Sequence, residues 1–553
     1  MPQSVQQGIF RSAGLISAAG LISAAVLLSR VAGLLREMVL AALFGAGYLY
    51  DAFLIGFRIP NLTRDLFAEG ALSSAFVPVF TRQLRLEGKE AAARLSNLVA
   101  TALVFVVGVI CLLGVIFAPQ LVGLLASGFA EVPGKFELAV TLTRVMFPFL
   151  LLVALAAQAM GVLNACGRFG VPALSSTFFN VGSLGFGLLL GYAAGPWLGI
   201  SPLVAMAWGV VFGGALQLAW QLPSLAREGF RFHPQADLRD PALRQILAMM
   251  GPAILGNAAV QVNVMVNTRF ASQITNAAGE VINGPVSWLA YAFRFMQLPL
   301  GLFGVAIASA TLPTISRSAA DGNIPEFRHT LARSLGMVFL LTIPSAAGLA
   351  VLGESIIGAV YEWGRFEAAD TRQTALALAC YSLGLTGYAA LKVLAPAFYA
   401  LSDARTPMLV SVLSIAVNYA AASSLVKIAG LGHLGLALST STVALVGSAV
   451  MLAVMRRRIS RIEGRALLSS VAKITAASLA MAAVCLASSR LLHLLLVWPK
   501  AAQLADIAFS IPLGLLVFAA VCRLSRLPEW DAAWAAIGAP LARRLRRQRA
   551  TLD

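Results

Sequence analysis

A succession of long apolar stretches constrains this chain more than any other feature. A membrane-spanning helix needs about 20 predominantly apolar residues, and about fourteen stretches of this kind follow one another along the sequence. In hydrocarbon every backbone amide must bond internally, so only helices or closed barrels cross a bilayer. A barrel strand has only about 10 residues. The predicted helical spans lie at 13–43, 51–81, 93–117, 138–165, 171–194, 200–223, 243–272, 285–316, 331–352, 373–400, 407–427, 432–455, 467–492 and 503–522.

Composition supports the same fold class. Of the 553 residues, 59% are hydrophobic and only 12% are charged, whereas soluble domains carry about 25% charged residues. We therefore expect an all-α polytopic membrane protein with about 14 transmembrane helices. The five cysteines and four histidines are scattered along the chain, so neither a disulfide framework nor a metal site is predicted.

Loop charges predict the orientation of the spans. The net charge is +17, and the basic residues gather in alternate loops, while the intervening loops are nearly empty of them. Cytoplasmic loops are the ones enriched in Lys and Arg, so both termini are expected in the cytoplasm. This distribution explains the positive charge without a nucleic-acid partner. The longest basic loops lie at 82–94, 227–244, 317–333 and 456–465.

Three pairs of motifs recur at nearly the same spacing and indicate an internal repeat. Pro78 corresponds to Pro313 and Pro172 to Pro407, both at an offset of 235, and Phe57-Arg58 corresponds to Phe293-Arg294 at 236. The offset spans six predicted helices, an even number, so the two copies should be related by a parallel pseudo-twofold repeat. The predicted domains are an N-terminal lobe at 1–230, a C-terminal lobe at 231–460, spans 13 and 14 at 461–525 and a basic cytoplasmic tail at 526–553.

The second predicted span carries an unusual number of charges. A charge at the centre of a lipid-facing helix costs about 2.5–3.5 kcal/mol, so such residues usually face a hydrated path or an ionic partner. Arginine forks suit phosphate oxygens, which favours a cationic cavity for an anionic substrate; structural ion pairing is the alternative interpretation. The candidate substrate-binding residues are Arg30, Arg36, Arg58, Arg64 and Arg294. The candidate supporting acids are Glu37, Asp51, Asp65 and Glu69.

Proline and glycine residues mark the predicted bending points. Two lobes around a cavity suggest alternating access by rocking of the lobes, and proline interrupts helical hydrogen bonding. The candidate hinge residues are Pro60, Gly70, Pro299 and Gly301.

Four segments resemble the MurJ (MviN) lipid II flippases of the multidrug/oligosaccharidyl-lipid/polysaccharide exporter superfamily. They are SRVAGLLRE at 29–37, DAFLIGFRIPNLTRDLFAEGALSSAFVP at 51–78, GPAILG at 251–256 and LKVLAPAFYALSDARTP at 391–407, and the resemblance covers roughly residues 20–525. It implies a flippase that moves undecaprenyl-pyrophosphate-linked disaccharide-pentapeptide to the outer leaflet of the bacterial inner membrane. It also implies two lobes in a V, with the last two helices forming a groove for the lipid tail.

The resemblance carries over to individual residues. The family's cationic cavity corresponds to Arg30, Arg36, Arg64 and Arg294, with acidic partners at Asp51 and Glu69. The chain departs from the family in some places. Glu37 stands where Asp is frequent, Arg58 where Lys also occurs, and Phe293 where a relative can carry Asp. Some relatives bind sodium through acids in the second lobe, whose spans lack an embedded acid in this sequence.

Two other transport functions compete with this interpretation. A flippase for another polyprenyl-pyrophosphate glycan, such as an O-antigen unit, uses the same pyrophosphate chemistry. A drug/cation antiporter needs buried acids, which fits the arginine excess poorly. An enzyme is not expected, because no nucleophile–base pair or nucleotide loop is visible. The expected partners are lipid II, membrane lipids and other cell-wall synthesis proteins, with no nucleic acid, and the protein is expected to be a monomer. No cofactor is expected, and the sequence leaves the coupling ion or the use of membrane potential open.

Overall fold

A computed structural model describes residues 3–65, 72–237, 239–459 and 464–535, and apart from one isolated bridge and the connecting loops these residues are helical. Contacts divide the chain into two compact units, Met1–Gly284 and Pro285–Asp553. These two units differ from the two lobes predicted from the repeat, 1–230 and 231–460. The boundaries of the lobes remain a prediction. An isolated bridge between Thr275 and Val281 closes the loop that precedes the second unit.

The first unit contains twelve α-helices among its described residues. In chain order they are α1 (Gln3–Phe44), α2 (Tyr48–Arg64), α3 (Ser73–Leu86), α4 (Lys89–Ile116), α5 (Ala118–Leu125), α6 (Lys135–Met146), α7 (Phe149–Ala165), α8 (Gly170–Leu188), α9 (Gly195–Leu198), α10 (Pro202–Ala219), α11 (Leu222–Arg227) and α12 (Pro241–Ser272).

The described part of the second unit contains nine named helices. They are α13 (Pro285–Pro299), α14 (Val305–Ala320), α15 (Ile324–Tyr361), α16 (Ala368–Ala400), α17 (Arg405–Ser423), α18 (Gly432–Arg458), α19 (Gly464–Leu495), α20 (Pro499–Ala505) and α21 (Ile511–Leu524).

Several helices begin at a polar cap followed by proline. Asp240 accepts hydrogen bonds from the amides of Ala242 and Leu243 at the start of α12, and Ser201 accepts one from Val204 at the start of α10. These side chains satisfy amides that have no partner within the helix. Proline suits the first helical position because its missing N–H would be unbonded there anyway. The Asp-Pro and Ser-Pro pairs in the sequence therefore set where these spans begin.

The predicted spans fall on helices, and eleven helical stretches in the described residues are long and apolar enough to cross a membrane. The predicted spans outside that set fall on α1, on α2 with α3, and on α12. The chain is thus a multi-pass membrane protein, and the total of fourteen spans remains a prediction.

The same three pairs of spans pack together within each unit. In the first unit α4 packs on α7, α7 on α10, and α10 on α8. In the second unit α15 packs on α16, α16 on α18, and α18 on α17. If the spans of each repeat are numbered from one to six, the third span packs on the fourth, the fourth on the sixth, and the fifth on the sixth in both repeats. The packing therefore agrees with the internal repeat.

Local backbone geometry also recurs at the predicted offset. A π-helix follows α8 at Leu189–Ala194, and another follows α17 at Ser424–Ile428. Their first residues are 235 apart, the spacing of the matched prolines. Leu300–Gly304 forms a further π-helix after α13. Because π-helices are rare, their recurrence at one offset is strong evidence for a repeated unit.

The last two spans pack against α15. Leu340 and Leu352 of α15 join Ile474 and Met481 of α19 and Phe518 of α21 in one buried cluster. A Cβ atom at Gly514 would lie 2.4 Å from the Cys485 sulfur, so glycine is needed where α21 approaches α19. The opposite faces expose apolar side chains, as expected for helices in lipid. The exposed residues include Leu479, Leu486, Phe509 and Leu516.

Candidate functional site

Arg36 occupies a mostly buried position on α1. Its side chain is 14% exposed, and Nη2 lies 3.9 Å from Oε1 of Glu37, which is 2% exposed. The guanidinium carbon lies 5.2 Å from the centre of the Phe179 ring on α8, a distance at which the ring quadrupole attracts a cation. The carboxylate and the ring together fix the direction of this arginine.

A small cavity beside Arg36 lies among four helices of the first unit. Arg36 supplies its charged group, and the rest of the lining is mainly apolar. A charge in such surroundings interacts strongly because the local dielectric constant is low. The other lining residues are Leu40, Phe53, Phe57, Ser183, Leu184, Met206 and Val210.

Arg30 lies on the same helix and is exposed. The α-helix α1 continues without interruption from Gln3 to Phe44, through Gly33, which lies between the two arginines. A Cβ atom at Gly33 would lie 3.4 Å from the Asn180 amide nitrogen, an ordinary van der Waals contact. That nitrogen donates a hydrogen bond to the Ser29 carbonyl at 3.3 Å. The close packing of α8 on α1 therefore occurs between the two arginines.

Arg58 connects α2 to α12. Its Nη1 donates a hydrogen bond to the Thr268 hydroxyl at 2.5 Å, and that hydroxyl donates to the Val264 carbonyl at 2.6 Å. Thr268 is 1% exposed, while Arg58 is half-buried. The sequence analysis did not identify Thr268, because nothing in the sequence relates a threonine to an arginine 210 residues away.

Arg64 and Asp65 form a local ion pair at the end of α2. Both Nε and Nη2 of Arg64 donate to Oδ1 of Asp65, at 3.3 and 3.0 Å. The two side chains are 22% and 32% exposed. The candidate acid Glu69 and the candidate hinge Gly70 lie outside the described residues.

Asp51 has a buried partner that the sequence did not reveal. Its Oδ2 accepts hydrogen bonds from Lys135 Nζ at 2.9 Å and from the Gly284 amide at 2.8 Å. Lys135 is 0% exposed and Asp51 1%. Lys135 Nζ also donates to Asn283 at 2.7 Å and lies 4.1 Å from the centre of the Phe129 ring. These contacts tie α2, α6 and the loop after α12 together within the first unit.

Arg294 belongs to the second unit, where α13 carries it as an exposed residue. Its neighbour Phe293 packs edge-on against Tyr381 of α16, with ring centres 5.4 Å apart. The candidate hinge Pro299 ends α13, and Gly301 lies in the π-helix that follows. Pro60 lies inside α2 and is buried. The role of these residues in bending remains a prediction.

The motif LSDARTP forms a capped turn before α17. Asp403 accepts hydrogen bonds from the amide and hydroxyl of Thr406 at 3.0 and 2.7 Å, and it pairs with Arg458 at the end of α18. The Thr406 amide and hydroxyl, together with Arg458, hold the pKa of Asp403 below its usual range, although burial opposes them. The ionised carboxylate therefore stabilises this turn at neutral pH, and the contribution is lost as pH falls through the lowered pKa.

The described part of the first unit thus brings several guanidinium groups onto α1 and α2. Arg36 and Arg58 are held by specific contacts, and Arg30 is exposed. Preorganised guanidinium forks can bind two oxygens of a phosphate group at once, and holding them beforehand lowers the cost of ordering on binding. This part of the structure is chemically suited to an anion.

Comparison with known proteins shows the family. The family model described as lipid II flippase MurJ matches residues 40–502. Arg30, Arg36 and Glu37 lie outside that match, so their correspondence to the family rests on the SRVAGLLRE motif. The chain is 35% identical over 433 residues to the lipid II flippase MurJ of Burkholderia cenocepacia, covering 78% of this chain and 81% of the relative. It is 36% identical over 401 residues to a probable lipid II flippase MurJ of Rhizobium meliloti, covering 72% of each chain.

Solved structures show the same fold at lower sequence identity. A structure of lipid II flippase MurJ in an inward closed conformation superposes with a TM-score of 0.73 at 24% identity, covering 91% of this chain and 99% of that one. An inward-facing multidrug resistance transporter of the MATE family gives 0.60 at 16% identity, covering 80% and 94%. The family match and the closely related sequences show that this chain belongs to the lipid II flippase MurJ family, whose members are transporters rather than enzymes.

Proposed function

We propose that this protein flips lipid II from the cytoplasmic to the outer leaflet of the bacterial inner membrane. Lipid II here means the undecaprenyl-pyrophosphate-linked disaccharide-pentapeptide of peptidoglycan synthesis. The observation that carries the proposal is the family match over residues 40–502, supported by relatives named as lipid II flippases. The basic side chains of α1 and α2 agree with the pyrophosphate of such a substrate.

The proposed mechanism separates the head group of the substrate from its tail. Arg30, Arg36, Arg58, Arg64 and Arg294 are proposed to bind the pyrophosphate in a cationic cavity during alternating access. The polyprenyl tail stays in lipid, because each CH₂ group kept in apolar surroundings contributes about 0.8 kcal/mol. The exposed apolar faces of α19 and α21 suit contact with that tail. Membrane lipids and other cell-wall synthesis proteins are the further proposed partners of this protein.

Depletion of the protein tests the substrate directly. We expect lipid II to accumulate on the cytoplasmic leaflet, wall synthesis to stop and the cells to lyse. The measurement is the fraction of lipid II that is accessible from outside the cell, with re-expression of the intact chain as the control. Normal lipid II export together with retention of another polyprenyl-linked glycan would instead identify the O-antigen-type alternative. Normal export of both, with loss of drug resistance, would identify the antiporter.

The orientation of the chain is tested by cysteine labelling. In a variant lacking the native cysteines, single cysteines at positions 88, 236, 325 and 462 should react only from the cytoplasmic side, because they lie in the basic loops. A cysteine at the exposed Val497 should react from outside and serves as the control. Labelling of a cytoplasmic position by an impermeant reagent in intact cells would contradict the predicted topology and the cytoplasmic termini.

A further inference from the structure

Asp506 is a fully buried carboxylate inside the last predicted span. Its exposure is 0%, and it begins the π-helix Asp506–Ser510 between α20 and α21. A carboxylate at such a depth is costly unless its oxygens are hydrogen-bonded. The sequence analysis looked for an ion-binding acid only in the second lobe and did not single out Asp506, although an acid in the apolar segment 503–522 was a visible signal.

Three serine hydroxyls and one imidazole surround this carboxylate. Oδ2 accepts hydrogen bonds from Ser355 of α15 and, at 2.7 Å, from Ser489 of α19. Oδ1 accepts one from Ser510 at 2.9 Å. The Nε2 atom of His493 lies 3.2 Å from Oδ2. All these residues belong to the second unit, so the cluster forms wholly within it.

Among the described residues, no lysine or arginine side chain of the surrounding helices contacts this carboxylate. Arg490 is exposed, and Lys500 donates to the Gly358 carbonyl and lies over the Trp363 ring. The other nearby titratable groups have partners of their own or are exposed. Cys485 of α19 donates to the Ser510 carbonyl at 3.4 Å, Glu354 is exposed, and Glu362 accepts hydrogen bonds from Thr371 and Gln503. Within the described residues, the contacts of the Asp506 carboxylate are therefore with hydroxyl groups and with the His493 imidazole.

His493 connects the buried carboxylate to the surface. Its side chain is 44% exposed, whereas Asp506 is fully buried. It lies two residues before the end of α19, next to the turn that leads into α20. The distribution of charge among the loops predicts that this turn lies on the external side of the membrane. An imidazole at that position can take a proton from external water and pass it to the carboxylate oxygen.

We propose that His493 and Asp506 form a proton-binding site in the last two spans, and that loading this site from outside accelerates a step of transport. The proton comes from water, adds to Nε2 of His493 or to a carboxylate oxygen of Asp506, and returns to water when the site empties. A proton on Oδ2 would compete with the hydrogen bonds that Ser355 and Ser489 donate to this oxygen, and so change how α15 and α19 are held together. The coupling half of this proposal rests on the proposed lipid II transport, while the binding half does not.

Proton binding is tested on the purified full-length protein without substrate. Infrared difference spectra recorded between about pH 5 and pH 8, where imidazole titrates, should show a carboxyl signal that disappears in Asp506→Asn and shifts in His493→Gln. Ser488→Ala is the matched control, because Ser488 contacts Ser510 but not the carboxylate; it should keep the signal. Spectra without a signal dependent on Asp506 would refute the site. A signal that changes when Na⁺ replaces K⁺ would also refute it, in favour of a sodium site.

Coupling is tested by measuring lipid II flipping in vesicles that are more acidic on the external side of the protein than on the cytoplasmic side. External acid should accelerate flipping by the parent and by Ser488→Ala, and this acceleration should be lost in Asp506→Asn and His493→Gln. His493→Gln changes a partly exposed side chain, so it keeps the test decisive if Asp506→Asn does not fold. An unchanged acceleration in that variant refutes the coupling. A parent protein that flips no lipid II contradicts the proposed function, and the infrared titration still decides the proton site.

Discussion

Replacing Lys135 by alanine is expected to destabilise the folded protein by about 3–5 kcal/mol, the usual cost of removing one partner of a buried ion pair. The change leaves Asp51 as a buried carboxylate without its ammonium partner. It also removes the hydrogen bond to Asn283 and the contact with the Phe129 ring. The measurement is the midpoint of thermal unfolding in detergent, together with the amount of protein in the membrane.

Arg168 provides the matched control for Lys135. It pairs with Glu228 at 2.7 Å, but its side chain is 66% exposed. Exposed pairs contribute about 0–1 kcal/mol, so Arg168→Ala should change the midpoint little. Replacing both Lys135 and Asp51 by apolar residues should recover much of the lost stability, because no uncompensated charge then remains. Equal effects of Lys135→Ala and Arg168→Ala would contradict the structural role of the buried pair.

Replacing Arg36 or Arg58 by alanine is expected to reduce lipid II flipping at least about tenfold while the protein still accumulates in the membrane. Each guanidinium can make charge-assisted hydrogen bonds to pyrophosphate, and a hydrogen bond to a charged group contributes about 1.5–3 kcal/mol. Lysine at either position should recover part of the rate, since it keeps the charge but loses the two-point fork. Flipping is measured with reconstituted full-length protein.

Two further variants separate substrate binding from folding. Thr268→Val removes the hydroxyl that accepts from Arg58 but keeps the guanidinium, so it should slow flipping less than Arg58→Ala does. Arg168→Ala changes an exposed arginine outside the proposed cavity and should leave flipping unchanged. Failure of Arg36→Ala and Arg58→Ala to accumulate in the membrane would show that these arginines mainly hold the fold together.

The sequence predicted the helical fold and its repetition because those depend on local and periodic signals. Apolar length reports membrane spans directly, and the spacing of 235 between matched prolines recurs in the π-helices that begin at Leu189 and Ser424. The charged character of α2 was equally visible. Such features need no knowledge of which side chains meet in space.

The pairing of side chains could not be predicted in the same way. Lys135 was visible as a lone basic residue in a loop with little charge, yet its partner Asp51 lies 84 residues earlier. Thr268 and Arg58 are likewise brought together only by packing of α12 near α2. Asp506 differs from these cases, because an acid inside an apolar segment is a local signal. Its partners Ser355 and His493 come from two other helices, and only the folded chain reveals them.

The paired π turns also record the history of this chain. Each residue of an α-helix is rotated by about 100° from the one before it. One extra residue, accommodated as a π turn, therefore rotates every following side chain relative to the first part of the helix. Independent gain of such residues at Leu189 and Ser424 would require the same event twice at equivalent places. The simpler course is that an ancestral half-length chain already carried the extra residue when its gene duplicated. The two halves then diverged in sequence while keeping the same helical irregularities.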